Sequence, residues 1–444
     1  MDTIAAIATA HGIGSIAVVR VSGAKAYDIA LLLSHKLFLT PRHATLSSVY
    51  SEKDEFIDQV IIVYFKAPNS YTAEDVVEFQ CHGSMIVANM ILQAILKSGA
   101  RVANPGEFTK RAFINGRIDL SKAEAIGKLI EAKSISAAKL LSRHLKGELQ
   151  NFVEKAREDL LEIIAFAEVT IDYAEEDLPE DIEEQSVEKL RLLEASLERI
   201  LENSKQREGL TEGFKIAIVG KTNVGKSSLL NRLLQYERAI TSNIEGTTRD
   251  TIEEEIKIGT HIVKFVDTAG IRDADNEIEK IGIKRSLNAI EAADIIIGVF
   301  DNSREANDED SEILKLLQNA KASKKILYVI NKCDLQNRFD ILLLENPIKI
   351  SCRQDVKSLT DAINEYLNTL DVNDEIMLSS ARQISAVIQT LNAIKTSQDL
   401  LKSGELELFS YHLNDAISAL SSITKAYERD EILEAMFSKF CLGK

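Results

Sequence analysis

Gly220-Lys221-Thr222-Asn223-Val224-Gly225-Lys226-Ser227 fits the pattern G-x-x-x-x-G-K-[ST]. The chemistry this spacing serves is polyphosphate capture. The glycines let backbone N–H groups curl around a phosphate, Lys226 reaches the β- and γ-phosphates, and the Ser227 hydroxyl can ligate Mg²⁺. Further parts follow in chain order. Asn243-Ile244-Glu245-Gly246-Thr247-Thr248 stands where a switch threonine would meet the metal, and Asp267-Thr268-Ala269-Gly270 fits D-x-x-G, a carboxylate near the metal followed by a γ-phosphate contact. Asn331-Lys332-Cys333-Asp334 then selects the base. A carboxylate at Asp334 accepts hydrogen bonds from guanine N1–H and the 2-amino group, whereas adenine would leave it buried and unpaired. Ser351-Cys352-Arg353 suits the loop that closes over the base. Five parts in order point to GTP.

One expected residue is missing. Ras-like enzymes carry a glutamine after D-x-x-G to orient the attacking water. Here that position is Ile271. Either hydrolysis is slow or another polar group is brought in, and the next stretch offers Glu277 and Glu279, whose plainer reading is an exposed switch loop.

These parts need strands to present them. Ile216–Val219 reads as a buried strand entering the phosphate loop, and Ser227 onward opens an amphipathic helix. Val263–Asp267 and Ile326–Ile330 are further strand-like runs that lead into the motifs, and Ile295–Asp301 reads as another buried strand. Residues 213–372 therefore read as a Ras-like P-loop α/β domain. Residues 1–118 read as a small α/β domain, with strands at Ile16–Val21 and Gln59–Tyr64 and a helix from Ile86 to Ser98. In it, His82 by itself reads as a surface or packing histidine. Residues 119–212 and 373–444 are helical. Leu145, Leu149, Phe152, Ala156, Leu160, Ile163, Ala167 and Ile171 form one apolar stripe. The acidic run Glu175–Glu184 reads as a solvated loop before a helix near Val187. Two helical blocks around an α/β insert predict one discontinuous helical domain; two separate bundles are the alternative.

Composition narrows the class. The 45% hydrophobic and 27% charged content of this 444-residue chain is that of a globular protein. A formal net charge of −16 argues against nonspecific nucleic-acid binding through overall charge. A local patch of Lys110, Arg111, Lys122, Lys139, Arg143 and Lys146 could still meet nucleic-acid phosphates, a solvated helix face being the default. Four scattered cysteines, Cys81, Cys333, Cys352 and Cys441, fit a reducing cytosol. No secretory signal and no apolar run of ~20 residues is visible, so a cytoplasmic protein without a membrane partner is expected.

Taken over essentially its full length, the chain resembles the MnmE/TrmE family, the GTPases that modify the wobble uridine of certain tRNAs. The resemblance rests on Asp2-Thr3-Ile4, Ile16–Gly23, Pro105-Gly106-Glu107-Phe108, the inserted GTPase motifs and the terminal Phe440-Cys441-Leu442-Gly443-Lys444. It implies an N-terminal folate-binding domain that dimerises, a discontinuous helical domain and a Ras-like insert. It implies a K⁺-dependent GTPase acting with an MnmG/GidA-like flavoprotein that carries FAD, in a homodimer or heterotetramer. The product would be an aminomethyl or carboxymethylaminomethyl group at C5 of the tRNA wobble uridine. The one-carbon unit would come from a 5-formyl- or methylene-tetrahydrofolate.

The same resemblance carries roles onto residues. Folate-site positions fall on Arg20, Glu78, Arg117 and Lys444, with Arg117 standing where many relatives have Lys and Cys81 and Ser84 departing from a Gly-His-Gly-Gly pattern. GTP-site positions are Asn223, Val224, Gly225, Lys226, Ser227 and Ser228, the switch residues Ser242 to Thr248, Asp267 to Gly270, and the base loops. Mg²⁺ falls to Ser227 and Thr248; K⁺ falls to Asn223, Ser242, Ile244 and Thr247. The water-orienting acid maps onto Glu279. Cys441 alone reads as a small packing residue, and the resemblance implies a role for it in the modification chemistry. Two other readings compete: a GTP-timed scaffold without transfer chemistry, and a ribosome-assembly GTPase, which would more naturally append a basic module not legible here.

Overall fold

β-Branched runs and apolar stripes take the forms their periods dictate in the computed structural model, which describes residues 2–10, 12–172, 180–206, 209–238, 254–266, 289–321, 324–370, 376–425, 434, 436–438, 440 and 443. The chain divides into two compact units. One comprises Met1–Ile130, His144–Ala195 and Ser380–Lys444; the other comprises Glu131–Arg143 and Ser196–Ser379.

The first unit contains strands β1 (Ile4–Ile7), β2 (Ile16–Ser22), β3 (Thr45–Tyr50), β4 (Phe56–Phe65), β5 (Val76–His82) and β6 (Arg101–Val102), in the order β3-β4-β5-β2-β1-β6. All neighbours are antiparallel except β1 and β6. Side chains alternate between faces. Val19, Val21, Val60, Ile62, Val77 and Phe79 turn to one side, where Ile29 and Leu33 of helix Ala26–Ser34 and Ile91 and Ile95 of helix Met85–Lys97 complete a core. The intervening residues, Arg20 and Glu78 among them, therefore fall on the opposite face.

Helices from both ends of the chain join this unit. In helix Glu148–Asp172, Leu149, Ala156, Leu160, Ile163 and Ala167 are buried as the stripe predicts. Val153 and Ile164 join them, while Phe152 and Ile171 are only half-buried. The next helix starts at Glu180, inside the acidic run, rather than near Val187. Carboxylates in a first helical turn meet the positive end of the helix dipole, which explains why an acidic sequence can open a helix. Residues 173–179 lie outside the described set.

A single carboxylate links helix Leu120–Glu131 to helix Ala381–Ser403, more than 250 residues away in sequence. Glu124 is 8% exposed and accepts from Arg382 Nε at 2.7 Å and Nη2 at 3.1 Å, from Gln383 Nε2 at 2.7 Å and from Ser380 Oγ at 3.2 Å. Arg382 also donates to the carbonyls of Ser422 and Ile423, capping the end of helix Leu406–Ser421. Beside them Leu120 N–H donates to Thr424 O at 2.9 Å. A smaller apolar cluster of Leu120, Ala123 and Phe437 packs with Phe113, Met436 and Phe440.

The second unit holds β7 (Phe214–Val219), β8 (Glu254–Ile258), β9 (His261–Phe265), β10 (Ile295–Asp301), β11 (Lys325–Asn331) and β12 (Ile348–Lys349), ordered β12-β11-β10-β7-β9-β8. Only the β8–β9 pair is antiparallel. Every residue of β10 is buried, as expected of a parallel strand covered on both faces. Ile216, Ile218, Ile295, Ile297 and Val329 pack with Leu229 and Leu233 of helix Lys226–Arg238 and Ile363 of helix Lys357–Leu370. Ala217, Val219, Ile296, Phe300 and Ile330 pack on the other side with Leu317 of helix Asp308–Ala320. Such a doubly wound sheet presents its loops at the carboxyl ends of the strands, where ligands bind.

Replacing Glu124→Ala leaves Arg382 without its carboxylate. Because that guanidinium keeps some exposure, we expect a loss of roughly 2–3 kcal/mol, at or below the low end for a fully buried pair. Hydrogen exchange checks it: protection should fall in the first turns of helix Ala381–Ser403 and stay unchanged in β10 and β11.

Candidate functional site

The phosphate-loop sequence forms the turn from β7 into helix Lys226–Arg238. The loop lies close to its surroundings. A Cβ added at Gly220 would come within 2.5 Å of Val299 O, and one at Gly225, which has φ +101°, within 2.3 Å of Asn331 Nδ2. Only glycine fits at either place. Asn223 takes a left-handed conformation (φ 62°), which asparagine tolerates better than most residues. Val224 is buried beneath the loop, and Ser227 and Ser228 sit in the helix's first turn.

Lys226 Nζ donates to Gly220 O at 2.7 Å and Lys221 O at 2.8 Å. Burial pushes its ammonium below the usual lysine range, and among the described residues no carboxylate pairs with it. A desolvated cation held, among the described residues, by carbonyls at a helix N-terminus suits a polyphosphate. That observation is the fit of this site to a nucleotide, which when bound would bring its anionic oxygens and Mg²⁺ to the Ser227 end of the helix.

The base-recognition sequences converge on the same loop. The Asn331 side chain, 2% exposed, donates from Nδ2 to Val224 O at 2.9 Å and accepts at Oδ1 from Cys352 N–H at 3.2 Å. Lys332, with φ 63°, extends Nζ to Asn223 O at 2.8 Å and to Asp301 Oδ2 at 2.6 Å. Asp334 is exposed and accepts from Ser351 Oγ at 2.7 Å. That hydroxyl, more than any other group, holds its carboxyl below the usual range, so the group is an acceptor-only carboxylate at neutral pH. Cys352 adds no nucleophile, since burial pushes its thiol up to about 11. Arg353 is exposed.

Asp301 is the residue that motif reading passed over. It ends β10, is 2% exposed, and holds both Lys332 and the N–H and hydroxyl of Ser303. Burial pushes its carboxyl up, but the hydrogen bonds from Lys332 and Ser303 outweigh burial and leave it below the usual range. A carboxylate closing an otherwise apolar strand was the available signal.

In the first unit, Arg20 and Glu78 face each other across β2 and β5. Arg20 Nε donates to Glu78 Oε1 at 2.9 Å. The guanidinium lies 5.2 Å from the Tyr71 ring centre and 5.6 Å from that of Phe108. An ion pair bordered by two aromatic rings suits a flat heterocycle with polar edges. Arg117 is exposed on the turn after helix Glu107–Ile114 and makes no ion pair with Glu78 among the described residues. The carboxyl-terminal segment reaches this sheet: a Cβ at Gly443 would lie 2.3 Å from Ile7 O at the end of β1.

His82 is a surface residue whose Nδ1 lies 2.8 Å from Asp58 Oδ1. Arg111 leaves the basic patch altogether. It is 4% exposed and bonded to Asp2, Glu74 and Glu107. Lys122 is tied to Gln150 and Asp119, and Lys110 to Glu434. Ser242, Asn243, Ile244, Glu245, Gly246, Thr247, Thr248, Asp267, Thr268, Ala269, Gly270, Glu279, Cys441 and Lys444 lie outside the described residues. No helix among the described residues is long and apolar enough to cross a membrane.

Among solved structures, Era in complex with MgGDPNP and nucleotides of 16S ribosomal RNA is 26% identical, over 40% of this chain and 66% of that one, with a TM-score of 0.26. Residues 3–117 match the family model described as the GTP-binding protein TrmE N-terminus, and residues 120–441 match that of the MnmE helical domain. The chain is 57% identical to the tRNA modification GTPase MnmE of Sulfurimonas denitrificans and 56% identical to that of Aliarcobacter butzleri. Each alignment covers 100% of this chain and 99% of its relative. With a family model across more than half its length and relatives of this identity along all of it, the chain belongs to the MnmE family of tRNA modification GTPases.

Proposed function

We propose that this chain hydrolyses GTP in a K⁺-dependent manner and, with an MnmG/GidA-like flavoprotein carrying FAD, modifies C5 of the tRNA wobble uridine using a tetrahydrofolate one-carbon unit. The observation that carries the nucleotide half is the Asn331 side chain, which joins the phosphate loop at Val224 to the base loop at Cys352. In this reading Asn223 to Ser228 surround the phosphates, Ser227 with Thr248 holds Mg²⁺, and Ser242 to Thr248 and Asp267 to Gly270 respond to the γ-phosphate. Asp334 reads guanine, with Asn331, Lys332 and Ser351 to Arg353 shaping its pocket.

The Asn223 side chain is exposed and makes no hydrogen bond among the described residues, which leaves its oxygen available to K⁺ beside Ser242, Ile244 and Thr247. A cation there would supply positive charge near the phosphates. Glu279 would then orient water in place of the absent glutamine. For the one-carbon half, the Arg20–Glu78 pair bordered by Tyr71 and Phe108 supports a pterin, with Arg117 and Lys444 assigned to its acidic tail and Cys441 to the modification chemistry. Homodimers, and a heterotetramer with the flavoprotein, are part of the proposal.

Three measurements test it. GTP turnover in K⁺ should exceed turnover in Na⁺ at equal ionic strength, and Glu279→Ala should abolish the difference; equal rates in both salts would overturn the cation mechanism. Asp334→Asn offers an amide donor where guanine needs an acceptor. Its discrimination of GTP against xanthosine triphosphate should fall by at least about a hundred-fold, read by competition binding. Glu78→Gln should weaken 5-formyl-tetrahydrofolate binding by about ten-fold, the scale of losing a charge-assisted hydrogen bond, while GTP turnover stays unchanged; unaltered folate affinity would reject the Arg20–Glu78 site.

A further inference from the structure

Lys221 follows the first glycine of the phosphate loop and is one of that motif's unspecified positions, so nothing in the motif requires a charge there. In the structure its side chain is nonetheless 9% exposed and reaches a buried carboxylate: Nζ lies 2.5 Å from Asp310 Oδ2 and 3.3 Å from Asn307 Oδ1. Asp310 is 1% exposed. It is also the third residue of helix Asp308–Ala320, where it forms a reciprocal capping box with Asn307. Its other oxygen, Oδ1, is buried without a hydrogen-bond partner among the described residues. Lys221 is thus the only cation paired with this carboxylate among the described residues.

The main chain of Lys221 has a second task. Its carbonyl and that of Gly220 are the two acceptors that hold Lys226 Nζ among the described residues. One residue therefore ties the phosphate-binding lysine, through its carbonyl, to the amino end of a neighbouring helix, through its ammonium. A loop built on two glycines has much conformational freedom to lose on binding. An anchor at its second residue removes part of that cost beforehand.

We infer that the Lys221–Asp310 pair is a positioning device, which preorganises the loop carbonyls under Lys226 and thereby raises affinity for the nucleotide's phosphates. Lys221 touches no phosphate in this role. The inference rests on the reading of this loop as the GTP site.

Titration of the full chain with a fluorescent GDP analogue tests it, with the dissociation constant and the fraction of chains that bind determined separately. Lys221→Met and Asp310→Asn should each weaken GDP binding by about ten-fold, within the range over which contacting residues couple. The binding-competent fraction should stay at the wild-type level. The double variant should be no weaker than the weaker single variant, and Lys221→Arg should recover most of the affinity. Unchanged dissociation constants would overturn the inference. So would a fall in the competent fraction at constant affinity, which is the signature of a purely structural pair, or additive losses in the double variant. Failure of the wild-type chain to bind the GDP analogue would instead overturn the GTP-site reading itself.

Discussion

The carboxamide of Asn331 is the constraint on which the second unit's site depends. Its two ends are chemically different, and both are used: the amide N–H fastens the phosphate loop at Val224, and the oxygen receives Cys352 N–H from the loop after β12. The carboxamide is buried, so neither bond has water as a substitute. Gly225 has no Cβ because that is where the Asn331 amide lies. Lys332 adds a second tie to the same loop through Asn223 O, and Asp301 holds Lys332 from the end of β10. Three adjacent parallel strands, β7, β10 and β11, deliver these groups side by side.

The first unit has a comparable fastening of longer sequence range. Glu124 draws Ser380, Arg382 and Gln383 to helix Leu120–Glu131. Its charge is compensated by Arg382 and its remaining acceptor capacity is filled by the hydroxyl and amide, the condition under which a buried carboxylate can be tolerated. Helices encoded on either side of the insert thereby share one unit. The carboxyl-terminal segment belongs there too, because Gly443 packs on β1 and Phe440 packs against Gly127.

Charge and chemistry are distributed unevenly. Arg111, which in sequence belongs to a basic cluster, spends its charge internally on Asp2, Glu74 and Glu107. Arg20, placed among apolar strand residues, keeps its charge at a partly open ion pair over aromatic rings. A count of lysines and arginines treats both alike; burial and partners separate them.

The nucleotide motifs, the strands that present them and the amphipathic stripe of helix Glu148–Asp172 were legible in the chain, because each depends on local periodicity or on glycines and charged groups at fixed spacing. Gly220, Gly225, Lys226, Asn331 and Asp334 could be named without coordinates for that reason. Other features needed the tertiary structure. Asp301 closing on Lys332, Lys221 reaching Asp310, the removal of Arg111 from the surface and the pairing of Glu124 with Arg382 all join residues from separate elements. Their sequence separations carry no period, and a carboxylate or ammonium shows whether it is solvated, paired or buried only when the chain has packed around it. Sequence by itself determined the kind of chemistry and the elements that carry it; the tertiary structure decided which charges remain available for that chemistry, because desolvation and long-range pairing exist only in the folded chain.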